Sequence, residues 1–470
     1  MAVIPERARP SWFDERLALH PFLNAIFLRH VPVGLTWWYS LGAATLFVLT
    51  IQFVTGILLA LNYAPTPEYA YDSVQYTTSE VPFGWFIRGL HHWGASAMVV
   101  LVLLHMLSAF VLGAHRYPRE ATWLAGVALF LITLAFGFTG YLLPWDQKSY
   151  WATTVGTNMA GTVPVIGQYL VRLLRGGSEL GAVALSRFYA VHVLVLPALV
   201  MAFVLAHLAL VIYHGVSVPP GLWHRESGGY RERYEAAKAK GPSFWPEVIV
   251  EDLRLAALIF VALVALTVFA GVPMDDRADP TDTAYIPRPE WYFLFLFQLL
   301  KYFPGSLEWV GVVVVPGLLL LLLVLAPWLS RGEERRPLRR PLGMAVVAAF
   351  VGFSGFLTYQ AAATTPPSQV VERGRVLTSM QLRGKQLVGQ QGCTSCHVIN
   401  GEGEKRKGPP LDGIGDRLTA GDVHFFMERP NALNPAATMK PLIPPLSHDD
   451  VEAITQYLLT LDGDKEAPAR

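Results

Sequence analysis

Four histidines fall inside long apolar stretches, His91 and His105 in one, His192 and His207 in another. Imidazole in hydrocarbon is costly and is usually there for a reason. A single buried histidine is ordinarily a hydrogen-bonding partner for a neighbouring helix. Two pairs with nearly equal spacing, fourteen and fifteen residues, point instead to ligands. Fourteen helical residues rise about 21 Å and bring the side chain back to the same face. Two such helices facing each other supply two bis-imidazole sites stacked in depth, and haem iron takes two axial imidazoles readily. Glycines repeat the period: Gly42 and Gly56 in one stretch, Gly126 and Gly140 in another, are each fourteen apart. Either pair alone could serve plain helix packing. The shared period favours close approach of a flat group to the backbone. Arg88 and Arg187 lie just before His91 and His192. They are placed either to meet haem propionates through charge-assisted bonds or to snorkel to the interface.

The only two cysteines, Cys393 and Cys396, are followed at once by His397. Cys-Thr-Ser-Cys-His has the form of a covalent haem attachment: two thioethers and a proximal imidazole. A zinc site would need a second cysteine pair, which this sequence does not contain. The sixth ligand should be a methionine some tens of residues on, with Met427 and Met439 as the candidates. With both thiols spent, no four-cysteine iron–sulfur cluster can be built from this chain.

These residues need a membrane scaffold. Of 470 residues 53% are hydrophobic and 16% charged, against about 25% charged in soluble domains. The apolar excess collects into seven runs, 35–61, 85–113, 121–143, 186–214, 250–271, 310–329 and 341–362. Each is long enough to cross a hydrocarbon core, which takes about 20 helical residues. The fold expected is therefore an all-α membrane protein with seven transmembrane helices and a C-terminal α-helical domain. Residues 1–34 form an interfacial segment, 35–240 a four-helix di-haem part, 241–363 a three-helix part, 364–375 a linker and 376–470 the soluble domain. The start, MAVIPERARP, has no apolar core of a signal peptide, so cleavage is not expected. The N-terminal segment and the loops on its side carry 16 Lys/Arg, against 6 on the opposite side. The positive-inside rule puts the first set in the cytoplasm and, after seven crossings, the C-terminal domain outside. A net charge of +1 gives no field that would draw nucleic acid.

The stretches RGLHHWGASAM, TGYLLPWDQKSYWA and SRFYAVHVLVLPALVMAFVLAHL resemble the haem-binding half of cytochrome b from bc and plastid-type bf complexes. The resemblance continues through 242–362 with a three-span, subunit-IV-like pattern. The fifteen-residue spacing of His192 and His207 is similar to the plastid form. Membership implies two b haems, an outer low-potential one on His91 and His192 and an inner high-potential one on His105 and His207. It implies quinol oxidation at Pro289-Glu290-Trp291-Tyr292, between the fifth and sixth spans, with Glu290 as proton acceptor. A carboxylate against an apolar, aromatic wall would also have its proton affinity raised. Tyr141 and Trp145 would line the same outer pocket, and Asp252 resembles the family aspartate near the inner quinone. ATMKPLIPPLSHDDVEAITQYLLTL resembles the ending of class I cytochromes c, which favours Met439 as the sixth ligand of the covalent c haem, with a closing helix at 447–461.

The chain implied is a cytochrome b–c fusion subunit of a proton-translocating quinol:cytochrome c oxidoreductase in a bacterial plasma membrane. One electron goes to a separate Rieske iron–sulfur protein and on to the c haem; the other crosses the b haems to quinone. A downstream cytochrome c or oxidase, and a homodimeric complex, follow from the same resemblance. The alternative is a di-haem b anchor that passes electrons without bifurcation. Plastid-type relatives carry a first-span cysteine that anchors an extra haem; the equivalent stretch here is WWYSLGA, with Ser40. No such covalent haem is expected.

Overall fold

A computed structural model describes residues 27–223, 228–280, 285, 287–364, 371–372, 375–400, 408–429 and 446–461, with residues 12, 16, 23 and 24. The chain divides into two compact units, Met1–Pro280 with Pro287–Thr364, and Thr281–Ile286 with Thr365–Arg470. Among the described residues the structure is mostly helical, with one short antiparallel ladder that pairs Val371 with Val376 and Glu372 with Arg375 and two isolated bridges, His30 with Ser243 and Asp146 with Arg277.

Seven helices of the first unit are long and apolar enough to cross a membrane. They run Leu41–Ala60, Gly84–Val111, Glu120–Tyr141, Ala182–His214, Phe244–Phe269, Val310–Leu329 and Pro341–Ala363. The first helix begins later than the apolar run because Trp37–Tyr39 forms a separate 3-10 turn. The fourth and fifth begin earlier than their apolar runs. Large apolar side chains such as Leu205, Leu258, Phe269 and Val346 point outward from these helices. Such continuous apolar faces suit lipid and would be a liability in water.

The core of this unit forms where the first helix packs on the second and the third on the fourth. Leu41, Val48 and Leu49 of the first meet Leu90, Met98, Leu101 and Val102 of the second, with Ile132, Leu196, Val200 and Leu263 closing the cluster. The sixth helix joins through Ala326, which packs with Trp123 and Val127, and the Trp123 indole N–H donates to the Leu323 carbonyl.

Helix ends on the Lys/Arg-rich side are closed by buried arginines. The last carbonyls of a helix have no partner within it, and a guanidinium is well placed to supply one. Arg340 donates to the Phe110 and Val111 carbonyls at the end of the second helix. Arg119 donates to the His214 and Gly215 carbonyls at the end of the fourth. Arg335 donates to Ser217 and lies 3.7 Å above the Trp223 ring. Burial, with Arg119 nearby, pulls its guanidinium down to about 10. On the other side the helix Gln147–Gly161 starts at a capping box, Asp146 accepting from the Ser149 N–H at 2.8 Å. The Gln147 N–H donates to the Asp276 carbonyl and the Ala278 N–H to that of Trp145, tying this helix to the segment after the fifth span.

The second unit packs the helix Ser379–Gln390 against the closing helix His448–Leu458, with Ala420–Glu428 alongside. Leu377, Val388, Ile399, Ile414, Val423, Ile454, Tyr457 and Leu458 form its core. The two main helices approach closely at Gly384, where an added Cβ would lie 1.9 Å from the Ala453 carbonyl oxygen. That contact gives a direct check. Gly384→Val should destabilise this unit by about 3 kcal/mol or more, since neither backbone can give way. Gly389→Ala, whose added Cβ would meet nothing within 4 Å, should change stability by no more than about 1 kcal/mol, in the stabilising direction expected of Gly→Ala within a helix. Denaturant midpoints followed by visible absorbance would read both.

Candidate functional site

The two histidine pairs meet inside the four-helix part. His91 faces His192 with ring centres 6.4 Å apart, and His105 faces His207 at the same 6.4 Å. A metal–imidazole bond of about 2.0 Å, plus roughly 1.2 Å from nitrogen to ring centre, gives about 6.4 Å across one shared iron. Each gap is therefore the width that a bis-imidazole iron needs. Among the described residues no group of three or more His, Cys, Asp or Glu could hold a bare metal ion. Two imidazoles facing across each gap fit haem, whose porphyrin supplies the other four nitrogens.

The spacing of fifteen in the fourth helix has a local cause. Val191–Val195 is a π-helical turn around His192. A π-bulge takes up one extra residue, so His192 and His207 keep the register that fourteen residues give in a regular helix. The glycines each face one of these rings. An added Cβ would lie 3.1 Å from His105 at Gly42, 3.2 Å from His91 at Gly56, 3.6 Å from His207 at Gly126 and 2.5 Å from His192 at Gly140.

The two pairs differ in what holds the far side of each ring. The Thr55 hydroxyl donates to the Ile51 carbonyl at 2.7 Å and lies 2.9 Å from His91 Nδ1. With its hydrogen committed to the carbonyl, it accepts from Nδ1–H, which leaves Nε2 with the lone pair. Thr139 does the same, donating to the Ala135 carbonyl at 2.8 Å and accepting from His192 Nδ1 at 3.0 Å. His105 Nδ1 and His207 Nδ1 are buried without a hydrogen bond of good geometry. Sequence reasoning missed both threonines. The signal was a Thr-Gly pair at 55–56 repeated at 139–140.

Arg88 donates to the carbonyls of Val272 and Pro273, and Arg187 to those of Arg172 and Leu173. Both thus brace the connections on their side of the bundle. Asp252 is partly buried near the start of the fifth helix, close to Ser40 before the first. Its neighbour Glu251 pairs with Arg254.

Pro289-Glu290-Trp291-Tyr292 leads into a 3-10 turn, Trp291–Phe293, and then the helix Leu294–Leu300. Glu290 Oε1 lies 3.0 Å from Lys148 Nζ. The nearest charge to this carboxylate is thus a cation from the helix Gln147–Gly161, a partner the aromatic surroundings did not suggest. The Tyr141 hydroxyl donates to the Arg288 carbonyl at 3.4 Å, and the Trp291 indole N–H to the Ser96 hydroxyl at 3.3 Å. Trp145 is buried and turns the chain with φ of 53°. Tyr292 sits against Gly137, where a Cβ would be 2.9 Å from its hydroxyl oxygen. Burial and the Glu290 carboxylate push that hydroxyl above the ordinary phenol range. Further along the same two helices a cavity of about 340 Å³ is lined by Val155, Met159, Phe297, Leu300 and Lys301 among others. The four residues of the Pro-Glu-Trp-Tyr string do not line it.

In the second unit a single 3-10 turn, Cys393–Ser395, places Cys396 directly after it, and burial raises the Cys393 thiol. His397 Nδ1–H donates to the Pro409 carbonyl at 2.8 Å, which leaves the Nε2 lone pair available to a ligand. Met427 packs against the core of its unit. Met439 lies outside the described residues.

Comparison with known proteins was made across the whole chain. Residues 27–215 match the family model "Cytochrome b/b6/petB", 277–381 "Cytochrome b(C-terminal)/b6/petD" and 381–462 "Cytochrome c". The chain is 37% identical over 345 residues to the cytochrome bc complex cytochrome b subunit of Chlorobaculum thiosulfatiphilum, covering 72% of this chain and 78% of that one. It is 44% identical over 209 residues to cytochrome b6 of Synechococcus sp. (strain RCC307), covering 44% of this chain and 96% of that one. A solved structure titled "Hyperthermophilic respiratory Complex III" matches with a TM-score of 0.67 at 29% identity, over 76% of this chain and 91% of that one. The chain belongs to the cytochrome b/b6 family of bc-type complexes, with a subunit-IV-like part and a C-terminal cytochrome c domain.

Proposed function

We propose that this subunit oxidises quinol on the outer side of a bacterial plasma membrane and reduces quinone on the inner side, within a proton-translocating quinol:cytochrome c oxidoreductase. The observation that carries the reading is the pair of equal 6.4 Å imidazole gaps in one helical bundle. His91 and His192 hold the outer low-potential b haem, and His105 and His207 the inner high-potential one. Gly42, Gly56, Gly126 and Gly140 leave room against the rings. Cys393, Cys396, His397 and Met439 hold the c haem, and Arg88 and Arg187 lie on the side of the outer propionates. When bound, these groups supply one-electron transfer across the membrane and onward on the outer face.

The chain's own residues do the rest. Glu290 takes the proton of a quinol hydroxyl and hands it to outer water, as a positioned acid/base does. Tyr141, Trp145, Pro289, Trp291 and Tyr292 form the wall against which the ring is held. Asp252, beside Ser40, is the matching group where quinone is reduced and protons are taken up from the cytoplasm. The bundle needs a partner for the first electron. Both cysteines stand in the c-haem motif, so the Rieske iron–sulfur protein is a separate chain. A downstream cytochrome c or oxidase takes the electron, and the complex is a homodimer.

Two outcomes are expected. Glu290→Gln should keep all haems but slow quinol oxidation by roughly 10²–10⁴-fold; turnover at the wild-type rate would remove Glu290 from its role. Thr55→Val and Thr139→Val should each raise the midpoint potential of the outer b haem only. A donated Nδ1 hydrogen bond makes the ligand more basic and favours the oxidised metal. Potentiometric titration followed optically reads this, and an unchanged or lowered outer potential would contradict it.

A further inference from the structure

The ion pair between Lys148 and Glu290 is not a stability device. Exposed pairs of this kind contribute little to folding, and the lysine side chain is 38% exposed against 18% for the glutamate. Its position is also costly. Lys148 is the second residue of the helix Gln147–Gly161, where the positive end of the helix dipole disfavours a cation. What fixes it there is the neighbourhood. Asp146 caps the helix, and the Gln147 side chain accepts from Trp151 Nε1 and from the Asp279 N–H. The ammonium then rests 5.5 Å from the centre of the Tyr141 ring and 3.0 Å from Glu290 Oε1. One end of the pair thus reaches the half-exposed surface and the other the aromatic wall.

We propose that Lys148 is a positioning residue for quinol oxidation, which holds Glu290 as a carboxylate ready to accept a proton and draws it back toward the surface to release one. This rests on the reading of Glu290 as proton acceptor. Quinol approach places a hydroxyl against Glu290. The first electron and one proton of the quinol go to the iron–sulfur partner. With the second electron, which leaves toward the outer-haem ligands already assigned, the remaining quinol O–H bond breaks and a carboxyl O–H bond forms on Glu290. The neutral carboxyl no longer binds Lys148. It loses its proton to outer water, and the re-formed ion pair favours that loss, because an opposite charge within about 4–6 Å favours the ionised form. The net transfer through Glu290 is one of the two quinol protons, delivered to outer water. The other titratable groups whose charge reaches Glu290 are His92 from the second helix and Tyr292 from its own segment, while Tyr141 from the third lies under the Lys148 ammonium. None of these is in an ion pair with it among the described residues.

The experiment is the pH profile of quinol oxidation by the intact complex carrying Lys148→Met, Lys148→Arg or Glu290→Gln, with haem potentials measured in each. In Lys148→Met the acid limb of kcat/KM should move to higher pH by about one unit. Rates would then fall about tenfold below the limb and recover at alkaline pH, with both b-haem potentials unchanged. Lys148→Arg should restore the wild-type limb, and Glu290→Gln should be slow at every pH. An unmoved limb in Lys148→Met with Glu290→Gln still slow overturns the role of Lys148 and leaves that of Glu290 standing. A loss in Lys148→Met that is equal at all pH values and not recovered by Lys148→Arg also overturns it, as a merely structural effect. Wild-type turnover in Glu290→Gln overturns the underlying reading instead.

Discussion

Everything in the four-helix part depends on holding two imidazoles 6.4 Å apart, twice, inside hydrocarbon. A free imidazole there is costly, and two facing ones without a partner would be worse. The fold must therefore bring ring nitrogens together while leaving a flat space for what they bind. Glycines against each ring let the imidazole sit close to the neighbouring helix, and the tightest, Gly140, would put a Cβ 2.5 Å from His192. The π-helical turn at Val191–Val195 keeps the fourth helix in register although its histidines are fifteen apart. Thr55 and Thr139 then set the tautomer of His91 and His192. Each device answers one need of the gap.

Charge organises the two ends differently. On the Lys/Arg-rich side Arg119 and Arg340 are spent on helix-end carbonyls. Those contacts lock the second and fourth helices, the ones that carry the histidines. On the opposite side the charges are sparser and placed against chemistry-bearing groups, with Lys148 on Glu290. The first arrangement is rigid and buried. The second is half-exposed.

Much of this was legible in the sequence, for a physical reason. A fourteen-residue period is what four helical turns impose, so histidines and glycines that share a site depth share a spacing. The seven helices stand out because about 20 apolar residues in a row have few other uses. What was not legible is non-periodic. Thr55 reads as an ordinary helix threonine, since its hydroxyl also bonds Ile51 four residues back. Lys148 and Glu290 are 142 residues apart and carry no local sign of each other. The π-helical turn is visible only as one residue too many, with no residue type that marks it. The carboxylate was expected against an apolar wall and instead meets a cation, because aromatic neighbours in sequence say nothing about what a distant helix brings.

The central claim is that the bundle holds two non-covalent haems while the C-terminal domain holds one covalent haem. A haemochrome assay on the purified subunit, combined with an optical redox titration and a haem stain of the denatured chain, tests it most directly. The account predicts two extractable b haems with separate midpoint potentials for each covalent c haem, and no stain once Cys393→Ser and Cys396→Ser are introduced together. A single b haem per chain, or covalent haem that survives that double substitution, would contradict it.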